Sequence, residues 1–290
     1  MAAPLTLYSA WFCPYAQRAW LALLHRGVPF VRVESLSHPD GPAAPYTKLP
    51  ALLAANPRGL VPTLVDGGGR VCGESLVVLE LVSELQAPDA DGAGAPELLP
   101  ADPWARAKAR GAAAWVDTAL CSPYYQVLVP NERNAPGEWQ EKRADAFQKL
   151  RTNLRKFSAE LGDGGPYYLG AELSVVDFAL APWAWRFYVL EHYRGAEFAL
   201  DRGDPELSAY WRWYDAVVAL PAFQATLAVL ADEGAKVHTG EQEWQAWREA
   251  APRTAEEVYI CHVRKYADGV AQSKVADAVR AGRTAHELAD

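Results

Sequence analysis

The sequence predicts two unlike domains in series: a small α/β unit built on a mixed sheet, then a larger all-α helical bundle. Three observations carry that expectation. Through residue 85, short β-like runs alternate with helical patterns; residues 86–101, which open Gln-Ala-Pro-Asp-Ala-Asp-Gly-Ala-Gly-Ala-Pro, have linker composition; from Pro103 onward strand signals vanish. The division falls near residue 90. It gives an α/β domain over 1–88, an all-helical domain over 100–240 and a helical C-terminal extension over 241–290.

The elements come in this order. Leu5–Tyr8 reads as a strand, Pro14–Arg26 as a helix and Phe30–Val33 as a second strand. Lys48–Ala55 reads as a short helix closed by Asn56-Pro57. Thr63–Val65 and Arg70–Cys72 flank Gly67-Gly68-Gly69, the pattern of a hairpin. A helix then runs from Ser75, a suitable N-cap, to Leu85. The order β-α-β-α-β-β-α calls for a mixed sheet with helices packed on it. Beyond the linker, Trp104–Leu120, Glu138–Leu161, Ser174–Leu190, Leu207–Val218 and Ala222–Leu230 carry helical periodicity. Ser174-Val175-Val176-Asp177 has the form of a capping box and reads as structural. The extension adds Ala255–Tyr266 and Val270–Ala281, whose alternating charges read as a solvated face with a structural role.

Bulk composition excludes several classes. With 290 residues, half of them hydrophobic, the chain can bury one large core or two moderate ones. A charge of −8, from 36 acidic and 28 basic side chains, argues against nucleic acid and anionic membrane as partners. No apolar run of about 18 residues reads as a transmembrane helix. The opening Met1-Ala2-Ala3-Pro4 lacks the basic and apolar regions of a signal peptide. Cys13, Cys72, Cys121 and Cys261 are too scattered for a disulfide framework, which points to a reducing, cytoplasmic setting. Cys261-His262 has no further ligands at metal spacing, so no metal site is expected.

The chemistry concentrates at Cys13-Pro14-Tyr15-Ala16, where a strand gives way to a helix N-terminus. Unpaired N–H groups and partial positive charge there stabilise an anion. A thiol so placed can have a pKa of roughly 3.5–7.5 rather than about 8.5. Pro14 suits the first helical position, where no N–H is needed. The expectation is therefore a nucleophilic thiolate, with Phe12 and Tyr15 flanking it.

Two further landmarks come after Cys13 in order: Asn56-Pro57-Arg58-Gly59-Leu60-Val61-Pro62-Thr63-Leu64, then Glu74-Ser75. A Val-Pro bond entering a strand can be held cis for only about 0.5–1 kcal/mol, and its missing ladder donor leaves Val61 to pair with an extended peptide. Glu74 and Ser75 offer a carboxylate and a hydroxyl beside free N–H groups, a receptor for an amino-acid head group. Glu74 could instead pair with Arg18 or Arg70, and Ser75 could merely cap its helix.

With an all-helical second half, these landmarks resemble the glutathione transferases over most of residues 4 to 230. The cysteine in the first motif is most similar to the omega class and its relatives. The segment Arg264-Lys265-Tyr266-Ala267-Asp268-Gly269-Val270-Ala271-Gln272-Ser273 resembles extensions of omega-like proteins. The resemblance implies a thioredoxin-like N-terminal domain and glutathione as co-substrate. It implies that Val61 and Pro62 meet the cysteinyl unit, that Glu74 and Ser75 grip the γ-glutamyl end, and that Lys48 faces the glycyl carboxylate; Tyr15 joins this glutathione-binding set. Cys13 matches the residue that forms a mixed disulfide. A second-substrate pocket between the domains would draw on Phe12, Trp115, Tyr124, Tyr125 and Trp183. The resemblance also implies a homodimer and a small oxidised or electrophilic second substrate.

Position 16 is Ala, so the motif holds no resolving thiol. The expected activity is monothiol and glutathione-dependent: thioltransferase and dehydroascorbate reductase chemistry, with little conjugation of aryl halides. Two alternatives stand beside it. One is a glutathionyl-hydroquinone reductase, whose relatives also use a Cys-Pro motif. The other is a non-catalytic member that binds partners through its helical domain or tail.

Overall fold

The apolar strand β1 (Leu5–Ser9) is the seed of the N-terminal sheet. It pairs in parallel with β2 (Phe30–Glu34) and antiparallel with β5 (Thr63–Val65), which in turn pairs with β6 (Val71–Gly73). The four-stranded mixed sheet has the order β2-β1-β5-β6. A separate two-stranded sheet joins β3 (Leu36–Ser37) to β4 (Thr47–Lys48). The structure is a computed structural model that describes residues 4–37, 46–87, 97–133, 136–237 and 254–268.

Helix α1 (Pro14–His25) packs against both α3 (Ser75–Glu84) and the helical domain, so most of its residues are buried. The short α2 (Pro50–Ala55) packs on β5. It starts later than the sequence predicts. Lys48 belongs to β4, opposite Leu36, because Pro50 suits a first helical position and holds Leu49 extended at ψ 131°. The glycine hairpin forms as expected, shifted by one residue. The Val61–Pro62 peptide is cis. This is a thioredoxin-like α/β domain.

The helical domain comprises α4 (Pro103–Val116), α5 (Ser122–Leu128), α6 (Trp139–Glu160), α7 (Val175–Arg186), α8 (Tyr188–Arg194), α9 (Ser208–Val218) and α10 (Pro221–Val237). The single helix expected over Trp104–Leu120 ends at Val116 and passes through one π-helical turn, Asp117–Cys121, into α5. The helix expected over Ser174–Leu190 divides at Phe187, whose N–H bonds the Ala184 carbonyl and tightens the turn. The buried α7 packs on α1, α4 and α9 and forms the centre of the domain.

A further helix, α11 (Ala255–Ala267), is capped by Thr254 and Glu257 and packs on α10 and α8. The expectation of a solvated charged face holds only for its outer side. The inner side buries Val258, Tyr259, His262, Val263, Lys265 and Tyr266. Val270–Ala281 and the end of the Arg264–Ser273 segment lie outside the described residues. Among the described residues no single helix is long and apolar enough to cross a membrane.

The Ser174 capping box is present and reaches further than a cap. Asp177 is fully buried and accepts from the Ser174 N–H at 2.7 Å, the Ser174 hydroxyl at 2.7 Å, the Tyr168 N–H at 2.8 Å and the Trp213 indole at 2.8 Å. Burial still pushes its pKa up, so these donors only partly offset desolvation. Replacing Ser174 by Ala should cost about 0.5–2 kcal/mol, the worth of a cap. Asp177→Ala strands three further buried donors and should cost more, on the order of 3 kcal/mol. Urea denaturation monitored by tryptophan fluorescence measures both; equal costs would contradict the wider role of Asp177.

Candidate active site

The sheet register brings the sequence landmarks to one place. Thr63 pairs with Tyr8 and with Gly73, so Val61-Pro62 and Glu74-Ser75 emerge at the end of the sheet where β1 runs out toward Cys13. Ser9 pairs with Glu34 at the same end, and Lys48 joins them through its pairing with Leu36. Ligands in open α/β sheets commonly sit at such carboxyl ends.

Cys13 is the N-cap of α1 and is half-buried; its N–H bonds the Ala10 carbonyl and its carbonyl accepts from Gln17. Burial pushes the thiol pKa above its ordinary value. The N–H groups of Tyr15 and Ala16 and the charge of Arg186 pull it down, and the Glu34 carboxylate pushes it up. Burial wins. The sequence expectation of a strongly acidic thiol is therefore overturned: the helix N-terminus is present, but packing around the cysteine removes more water than those groups replace.

Two buried arginines hold the α1 N-terminus against the helical domain. Arg18 donates to the Ala179 carbonyl at 2.9 Å, the Ser75 hydroxyl at 3.0 Å and the Cys121 sulfur at 3.3 Å, and pairs with Asp117 at 2.6 Å. Its guanidinium also lies 4.3 Å from the Trp183 ring. Arg186 donates to Gln17 Oε1 at 2.6 Å and to the Phe12 carbonyl at 3.5 Å. Gln17 in turn donates to the Thr226 hydroxyl at 2.8 Å. Sequence reasoning gave Arg186 no role. The only signal for it was an arginine embedded in the apolar run that became α7.

The glutathione-binding candidates sit in the following places. Val61 lies just outside the ladder, which begins at Thr63, and Pro62 is buried. Glu74 is the N-cap of α3 at φ +66°, a left-handed conformation uncommon for a residue with a side chain. Its carboxylate pairs with Arg58 at 2.9 Å, not with Arg18 or Arg70, which pair with Asp117 and Asp66. Ser75 is the first residue of α3 rather than its cap, and its hydroxyl accepts from Arg18. Lys48 donates to the Arg58 carbonyl at 3.1 Å. Gly59, at φ +60°, makes room for it: a Cβ there would meet Lys48 Cδ at 2.5 Å.

The second-substrate candidates divide. Tyr15 of the α/β domain and Trp183 of the helical domain meet edge to face at 4.6 Å. Tyr125 is buried beside Tyr124, their rings meeting edge to face at 5.0 Å. Tyr124 is fully buried against Tyr125 and Phe187, and Trp115 is half-buried near the end of α4. Phe12 is stacked between Tyr46 at 5.0 Å and His262 of α11 at 4.1 Å. Sequence reasoning placed neither Tyr46, Tyr259 nor His262 here. Among the described residues no group of three or more His, Cys, Asp or Glu could hold a metal ion.

Comparison with known proteins gives the family. Residues 12–85 match the description "Glutathione S-transferase, N-terminal domain" and residues 138–216 match "Glutathione S-transferase, C-terminal domain". The chain belongs to the glutathione S-transferase family of enzymes. It is 31% identical to glutathione S-transferase U28 of Arabidopsis thaliana over 202 residues, 69% of this chain and 79% of that protein. Among solved structures it is similar to glutathione transferase Omega 3C from Trametes versicolor, with TM-score 0.62 and 31% identity over 78% of this chain and 90% of that one. Rice GST1 in complex with glutathione shares the fold, with TM-score 0.65 and 23% identity over 92% of this chain and 98% of that one.

The raised thiol pKa has a direct consequence. Alkylation of Cys13 by iodoacetamide should keep accelerating as pH rises past about 9, because the thiolate is the reactive form. Peptide mapping of the labelled residue against pH measures this. A plateau reached below about pH 7 would contradict the burial argument.

Proposed function

We propose that this glutathione transferase is of the cysteine, omega-like type, and acts as a glutathione-dependent thioltransferase and dehydroascorbate reductase through Cys13. The observation that supports the reading most is a half-buried cysteine at the N-cap position of α1, at the sheet end where Val61, Glu74 and Lys48 also lie. The similarity to the Omega 3C protein points the same way. Glu74 and the N–H groups of α3 suit a γ-glutamyl head group, the unladdered Val61 backbone suits the cysteinyl unit, and Lys48 suits the glycyl carboxylate.

In the proposed cycle the Cys13 thiolate attacks the glutathionyl sulfur of a mixed disulfide. The new sulfur–sulfur bond forms as the old one breaks, and the departing thiolate takes a proton from water. A free glutathione thiolate then attacks the Cys13 adduct, releasing glutathione disulfide and restoring Cys13. Dehydroascorbate reduction would consume two glutathiones and yield ascorbate and glutathione disulfide. Cys121 is fully buried against Arg18, which leaves it a poor resolving thiol and favours a monothiol cycle. A cytoplasmic homodimer completes the reading.

Because the resting thiol is held largely protonated, the first step gains from every group that favours the anion: Arg186 and the N–H groups of Tyr15 and Ala16. Cys13→Ser should lower thioltransferase turnover with a glutathione mixed disulfide by at least about 100-fold, leaving glutathione affinity within about three-fold. Coupled glutathione-reductase kinetics and calorimetric titration measure the two. Full turnover in the variant would rule out Cys13 as nucleophile, and no glutathione binding by the wild type would favour the non-catalytic alternative.

A further inference from the structure

The helix α11 lies beyond the residues that match the family descriptions, yet it is fastened to both domains. On the helical side Trp185 and Tyr188 donate to Glu256, and Tyr193 donates to the Ile260 carbonyl. Asn131 and Arg194 both donate to the Ala267 carbonyl. On the α/β side the His262 ring lies 4.1 Å from Phe12 and 4.9 Å from Trp11, and the Tyr266 hydroxyl meets that of Tyr46 at 2.9 Å. Through the helix, the helical domain takes hold of Tyr46.

Tyr46 stands two residues before Lys48, just ahead of β4. That strand belongs to a sheet of two strands with two residues each, Leu36 facing Lys48 and Ser37 facing Thr47. So small a pairing contributes little stability by itself. The place of Lys48 therefore depends on what fixes the chain on either side of it. On one side the Leu49 N–H bonds the Ser35 carbonyl at 2.9 Å and Pro50 opens α2. On the other is Tyr46, whose ring stacks on Phe12 at 5.0 Å with 14° between the planes and whose face lies 4.5 Å from the Lys265 ammonium. Its hydroxyl ends on Tyr266. Lys48 itself is partly exposed, and its ammonium carries three donors, one of them given to the Arg58 carbonyl at 3.1 Å.

We propose that Tyr266 is a positioning residue for glutathione binding: through the Tyr46 hydroxyl it holds β4 where Lys48 meets the glycyl carboxylate. This rests on the proposed placement of that carboxylate at Lys48 and goes beyond it by giving α11 a part in binding. The lever is short, since two extended residues span only about 7 Å, so a displaced Tyr46 carries Lys48 with it. A charge-assisted bond to a carboxylate needs close, aligned approach, which a shifted strand no longer provides. The effect is confined to one end of the ligand, because Val61 and Glu74 are placed by β5, β6 and α3 rather than by β4. By linkage, a ligand that fixes Lys48 also favours the docking of α11.

Calorimetric titration with reduced glutathione and with γ-glutamylcysteine, which lacks the glycyl unit, separates positioning from general damage. The wild type should bind glutathione about ten-fold more tightly than γ-glutamylcysteine, and Lys48→Ala should reduce that preference to about two-fold. Tyr266→Phe and Tyr46→Phe, checked by circular dichroism as folded, each delete the same hydrogen bond. Each should weaken glutathione about three-fold while leaving γ-glutamylcysteine within about 1.5-fold, and the double variant should lose no more than either single one. Unchanged glutathione affinity in both variants overturns the proposal. Equal weakening of the two ligands overturns it as well, since a merely structural role would act on both. Additive losses in the double variant also contradict it, because the two hydroxyls would then act separately. The Lys48→Ala control keeps the two failures apart. If it alters the preference while the tyrosine variants do not, only the positioning role of Tyr266 fails. If it leaves the preference unchanged, or the wild type binds neither ligand, the placement of glutathione fails and the proposal with it.

Discussion

The rest of the structure depends on how the N-terminus of α1 is held between the two domains. Arg18 and Arg186 are both fully buried, and each donates hydrogen bonds to groups from both halves of the chain. Removing one partner of a buried ion pair such as Arg18–Asp117 commonly costs about 3–5 kcal/mol, because the other charge is left uncompensated. The arrangement is therefore a strong constraint on position. It fixes Cys13 laterally against α7 and sets Phe12 and Tyr15 against neighbours from both domains.

That fixation has an electrostatic cost. The packing that positions the thiol also desolvates it, and desolvation outweighs the helix N-terminus and Arg186. The resting enzyme thus carries a partly shielded, mostly protonated cysteine. Reactivity is then governed by what enters the site, since a ligand that brings hydrogen-bond donors or excludes competing water changes the balance locally.

The sequence was most readable where a local rule decides the outcome. Alternating patterns supplied the strands of the sheet, Pro14 marked the start of α1, the glycines marked the hairpin, and Ser174 with Asp177 marked the cap. The landmarks Cys13, Val61 and Glu74 were also legible, and the β5 register explains why they converge. What escaped was set by long-range packing. No local signal could pair Glu74 with Arg58, turn Ser75 toward Arg18, or bring His262 onto Phe12 from the far end of the chain. The thiol pKa was misjudged for the same reason: the favourable helix end is local, whereas the burial that opposes it comes from residues spread along the chain.

The central claim is that Cys13 is the sulfur that exchanges with glutathione. Incubating the wild-type protein with glutathione disulfide under non-reducing conditions, then mapping adducts by peptide mass spectrometry, tests it most directly. The account predicts one glutathionyl group on Cys13, removed by free glutathione, with Cys121 unmodified. An unmodified Cys13 beside a glutathionylated Cys72 would contradict it.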